Sequence, residues 1–306
     1  MADDTDPQEP TPLELDVAPT IPGRIARWTE RGRILQAQVE AARSRSRLLD
    51  LGFDVVERDS TIGGGMLGGA LAYRLFVFLL PLSLFLVSGI GVYADTTDQS
   101  SSEVVSGSGL TGLIAKEVSA AATSPARWAI FIVTFPVVVY AAAMLYRAIA
   151  IVHAIAWHGS GRAVRLSSKG FGVFGGVLFA QLVCTAIVGW IRDSDQVANV
   201  TALLVYGVVL GGAWLALAQL LPHRDVDWKA LVPGTAMLAV GMLLLNSFNV
   251  YITSRLVEDR ADTYGALGVA TALLFSLYLV GRLIVGSAVL NSTLDARRRQ
   301  QARPPD

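Results

Sequence analysis

Six apolar runs set most of what this chain can fold into. They cover roughly Met66–Tyr93, Trp128–Val152, Phe171–Ile191, Val197–Leu221, Leu231–Ile252 and Tyr264–Leu290. About 20 apolar residues carry an α-helix across roughly 30 Å of hydrocarbon. None of the six runs contains an aspartate or a glutamate. Only 16% of the residues are charged and 53% are hydrophobic, with a mean hydropathy of +0.50. Soluble domains carry about 25% charged residues. The expected fold class is therefore all-α: a polytopic membrane protein with six transmembrane helices. The first and last runs are long enough to tilt or to extend beyond the lipid core.

Basic residues in the loops set the expected orientation. The segment before the first run holds eight arginines, from Arg24 to Arg58. Arg162, Arg165 and Lys169 follow the second run, Arg224 and Lys229 follow the fourth, and Arg297, Arg298, Arg299 and Arg303 follow the sixth. Seventeen basic residues thus fall on one side and five on the other (Lys116, Arg127, Arg192, Arg255 and Arg260). Both termini are expected in the cytoplasm. Arginine and alanine richness with only three lysines suggests a bacterial chain. The expected location is then a bacterial cytoplasmic membrane.

Four regions follow. Residues 1–23 are acidic and proline-bearing and read as a disordered tail, without the basic start and apolar core of a secretory signal. Residues 24–60 read as an amphipathic helix. Ile25, Trp28, Leu35, Val39, Leu49, Phe53 and Val56 recur mostly at helical spacing among arginines, a pattern suited to an anionic membrane surface or to the protein's own loops. Residues 61–295 are the six-span membrane domain, and 296–306 a basic tail. The outer loop, 94–125, is rich in Ser, Thr and Gly, with room for a short helix at Leu110–Ala122. A weak echo links "GGVLFAQL" (175–182) to "GGAWLALAQL" (211–220), and Ala-, Gly- and Leu-rich helices resemble one another by chance.

Three arginines lie inside the runs: Arg74, Arg147 and Arg282. An arginine at a helix centre costs about 2.5–3.5 kcal/mol on insertion scales. With no acid inside any run, two readings remain. Each side chain snorkels alone to the inner headgroups. Alternatively, some converge on an anion such as a lipid phosphate or an acidic solute, which the guanidinium fork suits. Pro81 and Pro136 are expected to kink the first two spans and to shape a cavity. Gln181, Gln219, Asn246, Asn249 and Asn291 are expected to hydrogen-bond between helices. Asn246 and Asn249, three apart, share one face and are candidates for lining a polar cavity with the arginines. Gly64/Gly68 and Gly65/Gly69 have the spacing that lets helices approach closely.

Catalytic chemistry finds little support. The only histidines are His153, His158 and His223, and the single cysteine, Cys184, excludes an internal disulfide. There is no HExxH and no GxSxG, and no metal or cofactor is expected.

The ordered pieces "GGALAYRLFVFLLPLSLF", Leu221–Pro222, Trp228, Pro233–Gly234, Tyr264–Gly268 and Leu290–Asn291 together resemble the YihY/virulence factor BrkB family of bacterial inner-membrane proteins. The resemblance covers about residues 45–295 and implies six spans with both ends in the cytoplasm. Some members carry a tRNA-processing ribonuclease label, for which the residues here supply no chemistry. Many members have Gly-Ala-Glu before the final Leu-Asn; this chain has Ser287, Ala288 and Val289. The expected function is transport or translocation of an anionic lipid or acidic solute, without enzymatic activity. A non-transport scaffold or envelope-assembly factor is the alternative. A pocket lined by the histidines with Asp225 or Asp227 would favour a membrane-bound enzyme. Expected partners are membrane lipids with anionic headgroups, a second copy or an envelope protein, and no nucleic acid.

Overall fold

The computed structural model describes residues 46–96, 125–161, 164, 167–191, 196–248 and 254–302, and their regular structure is helical throughout. The helices are α1 (Arg47–Thr61), α2 (Gly64–Thr96), α3 (Arg127–His158), α4 (Ser168–Ile191), α5 (Gln196–Ala218), α6 (Trp228–Phe248) and α7 (Ser254–Gln301). The chain divides into two compact units, Met1–Phe53 and Asp54–Asp306. The described part of the first is residues 46–53, which begin α1. The expected acidic tail, residues 24–45 of the amphipathic element and residues 97–124 of the outer loop lie outside the described residues.

Each of the six apolar runs is mostly helical over its described residues. Among the described residues, four are long and apolar enough to cross a membrane: Gly64–Tyr93, Arg127–His158, Trp228–Ser247 and Leu273–Gln301. Helices α4 and α5 have 24 and 23 residues, and their described apolar stretches are Ser168–Cys184 and Leu204–Ala218. The outward faces carry long apolar stripes. Tyr73, Val77, Leu80 and Leu84 form an exposed stripe on α2; Ile132, Phe135 and Val139 do so on α3, and Val232, Val240 and Leu244 on α6. Water would not tolerate such stripes over whole helices, and lipid does. This is a helical membrane protein.

Within the second unit, α2 packs between α3 and α7, α7 lies against α6, and α6, α5 and α4 follow in order. Helices α3 and α4 meet over a short stretch, where Tyr146 packs on Phe171 and Phe174 with ring centroids 6.1 and 5.6 Å apart. The same end of the bundle holds the start of α2, the end of α3 and the end of α5. Its interior is filled by Trp157, Tyr146, Leu145, Leu217 and Val285, each at most 2% exposed. Towards the other end, Phe85 of α2 stacks on Phe131 of α3 at 4.7 Å and packs tilted against Phe135 at 5.9 Å.

Close approach replaces the hydrophobic effect as the adhesive between helices in lipid. At the crossing of α2 and α7, a Cβ on Gly281 would collide with the carbonyl oxygen of Gly68, and one on Gly68 would lie 2.7 Å from Arg282 Cδ. The Gly64/Gly68 face therefore packs as its spacing predicts. Gly65 and Gly69 have nothing within 4 Å of a Cβ position, so the second pair is not part of this contact.

Pro81, Pro136 and Pro233 all lie inside continuous helices. Pro233 offers no N–H in the early turns of α6, and Asn291 of α7 bonds the backbone on either side of it. The Gly234 N–H donates to Asn291 Oδ1 at 2.7 Å, and Asn291 Nδ2 donates to the Leu231 carbonyl at 3.0 Å. Only glycine fits at 234, because a Cβ there would overlap the Ser287 carbonyl. The Pro233–Gly234 and Leu290–Asn291 motifs are thus two halves of one interhelical joint. Val289, two residues before Asn291, is fully buried.

Two outcomes are expected. Gly68→Leu should lower the thermal stability of the detergent-solubilised protein by about 1–3 kcal/mol through overpacking, whereas Gly65→Leu leaves the melting temperature unchanged. Asn291→Leu should cost a similar amount, about 1–3 kcal/mol, by leaving a buried backbone N–H unpaired; equal melting curves for Asn291→Leu and wild type would contradict the joint.

Candidate functional site

Arg282 differs from the sequence expectation of a cation without a counter-charge. Its Nη1 and Nη2 donate to Asp59 Oδ1 and Oδ2 at 3.1 and 2.8 Å, a bidentate fork. Asp59 sits on α1, just before the first span, so a search for acids inside spans misses it. Glycine at 63, with φ +70, turns the chain from α1 into α2. The pair lies over Gly64, where a Cβ would displace the Asp59 carboxylate. α1 is tied down twice more: Asp54 accepts from Arg297 Nε at 2.6 Å, and Arg58 Nη2 donates to the Ala156 carbonyl at 2.9 Å.

Arg74 and Arg147 are exposed, and neither has an ion pair or side-chain hydrogen bond among the described residues. Helix α3 continues six residues beyond Val152, so Arg147 lies deeper than its run boundary suggests. Arg74 is ten residues from the start of α2, and Arg147 eleven from the end of α3. At 1.5 Å per residue each is about 15–17 Å along its own helix from that helix's end; measured from the Phe85–Phe131 stack, Arg74 is eleven residues away and Arg147 sixteen, so the two are not level. Arg282, in contrast, is paired within the chain, to Asp59. Asn246 is half-buried on α6, and Asn249 lies outside the described residues. Pro81 and Pro136 flank the Phe85–Phe131 stack on α2 and α3.

Residues at that same end build a second constellation. His158, His223, Arg224, Asp225 and Arg299 line an open pocket of about 380 Å³. The His223 Nδ1 lies 2.7 Å from the Leu221 carbonyl, which can only accept, so Nδ1 carries the proton. Its ring packs edge-on against Trp157 at 6.2 Å. Arg299 Nε donates to Asp295 Oδ2 at 2.9 Å, one turn back on α7. Beneath the pocket, Arg58 Nε, Trp157 Nε1 and His153 Nε2 are buried with no hydrogen-bond partner among the described residues. Burial, and then the nearby Arg224, hold the Arg58 guanidinium below its ordinary value, while Asp295 works the other way. Among the described residues no three His, Cys, Asp or Glu side chains gather to hold a metal.

The pocket expected of a membrane-bound enzyme is present in part, lined by His158, His223 and Asp225 but not by His153 or Asp227, and Arg58, Asp295 and Arg299 are neighbours that the sequence reading misses. One local signal was available: Asp295 and Arg299 are four apart, the spacing of a helical ion pair. The approach of Arg58 to α3 has no local signature.

A family model described as Virulence factor BrkB matches residues 59–306. No curated protein and no solved structure matches the chain. The matched region runs from Asp59, the partner of Arg282, through the Pro233–Gly234 and Leu290–Asn291 joint, and the chain accordingly belongs to the virulence factor BrkB family.

Proposed function

We propose that this protein crosses a bacterial cytoplasmic membrane six times, with both termini in the cytoplasm, and translocates an anionic lipid or acidic solute. Helices α4 and α5 have 24 and 23 residues. At 1.5 Å per residue they are about 34–36 Å long, sufficient to span. The basic bias of the loops supports placing the α1 end of the bundle in the cytoplasm.

One observation carries the functional reading. Arg74 and Arg147 are exposed cations within the apolar parts of adjoining helices, without a counter-charge among the described residues. In lipid such a pair needs an anion, and a headgroup phosphate supplies one from outside the chain. Arg282 serves the architecture in this reading, and Arg74 and Arg147 serve the ligand. Pro81 and Pro136 each free a backbone carbonyl on the same two helices and favour local movement there.

A non-transport scaffold is favoured by a different observation. The α1 end is packed with Trp157, Tyr146, Leu217 and Val285. A bundle closed at that end does not conduct without rearrangement.

Two measurements separate these readings. Reporter fusions after Asp306 and within residues 97–124 should read cytoplasmic and external respectively; the reverse would refute the orientation. In proteoliposomes, translocation of a labelled anionic lipid should fall at least tenfold in the Arg74→Ala/Arg147→Ala variant while a zwitterionic lipid is moved by neither protein. Absence of lipid movement by the wild-type chain would favour the scaffold.

A further inference from the structure

We propose that the pocket of His158, His223, Arg224, Asp225 and Arg299 is a binding site for a phosphate group, at the bundle surface and separate from Arg74 and Arg147. His158 is eleven residues beyond Arg147 on α3, so about 16 Å separates them along the helix. This inference stands whether or not the protein translocates lipid.

Three elements converge on the pocket: the last turn of α3, the turn between α5 and α6, and the extension of α7 past its apolar part. Each contributes a group suited to an anion. Arg224 sits at an exposed turn with no ion pair among the described residues. Arg299 spends Nε on Asp295, which orients the side chain and leaves the two Nη groups of its fork. A guanidinium fork matches two phosphate oxygens at once. His223 is fixed through Nδ1 by the Leu221 carbonyl, so its Nε2 is available for a second partner. Neutral Nε2 accepts from a protonated phosphate oxygen, and protonated Nε2 donates to an ionised one.

The charge balance points the same way. Arg58, Arg224 and Arg299 face Asp225 and Asp295, an excess of one positive charge before either histidine is protonated. Arg58 and Arg224 repel one another, and Arg58 is partly desolvated beside them. A phosphate would relieve this crowding. The C-terminal dipole of α3 opposes an anion with about half a charge, which the net excess of one positive charge outweighs. Asp225 also opposes it, which gives the proposal a signed test.

The probe is inorganic phosphate, titrated by calorimetry into the full chain in nanodiscs of zwitterionic lipid. Saturable binding is expected. Arg224→Gln/Arg299→Gln should weaken it at least tenfold, and Asp225→Asn should tighten it several-fold. All three positions are at the surface, and an unchanged melting temperature verifies that the variants fold. The titration is repeated with a minor fraction of phosphatidic acid in the disc. Competition, seen as weaker apparent phosphate binding, identifies the ligand as a lipid headgroup; no competition identifies it as a soluble phosphate. Absence of saturable phosphate binding, or equal binding by wild type and the double variant, overturns the site. Weaker binding in Asp225→Asn overturns the assigned charge balance and the proposal with it.

Discussion

A bidentate pair between Arg282 and Asp59 joins the last membrane helix to the helix that precedes the first. Its formation depends on an absence of side chains. Gly64 and Gly68 leave the groove in which the pair lies, and Gly281 lets the α2 and α7 backbones meet. The side chains are 32% and 18% exposed, so solvent screens the pair only in part. Removing one partner leaves an arginine in the apolar zone without a counter-charge, the costly case for ionic groups in lipid.

The same logic runs through the bundle. Apolar faces gain nothing by leaving lipid for each other, so specificity resides in close contacts and in polar groups that must be satisfied. Asn291 does this for the backbone around Pro233. Ser88 and Thr134 do it within their own helices, donating to the carbonyls of Leu84 and Ile130 at 2.7 Å. Gln181 and Tyr206 pair between α4 and α5. The surface end of the bundle keeps unresolved polarity instead: buried nitrogens of Arg58, Trp157 and His153 lie beneath an open, charged pocket.

The helices were legible because each long apolar run leaves one solution in lipid. The approach of Gly64 and Gly68 was also legible, although spacing alone could not separate that face from Gly65 and Gly69, because which side meets α7 is decided by the tertiary arrangement. The partner of Arg282 was not legible: Asp59 lies 223 residues away and outside any apolar run. Arg74 and Arg147 were readable as cations, but that they stay exposed and without a counter-charge among the described residues required the packing of α2 and α3. The pocket assembles from three distant segments, and only its histidines and Asp225 stand out in sequence.

The division of labour among the three arginines is most directly tested by paired readings of retained lipid and thermal stability. Mass spectrometry of lipid carried by the purified protein would be compared for Arg282→Ala and for Arg74→Ala/Arg147→Ala. The account predicts that Arg282→Ala melts lower yet keeps an enriched anionic lipid, whereas the double variant melts like wild type and loses it. Loss of the lipid from Arg282→Ala at unchanged stability would contradict it, and would place Arg282 with the ligand instead of with Asp59.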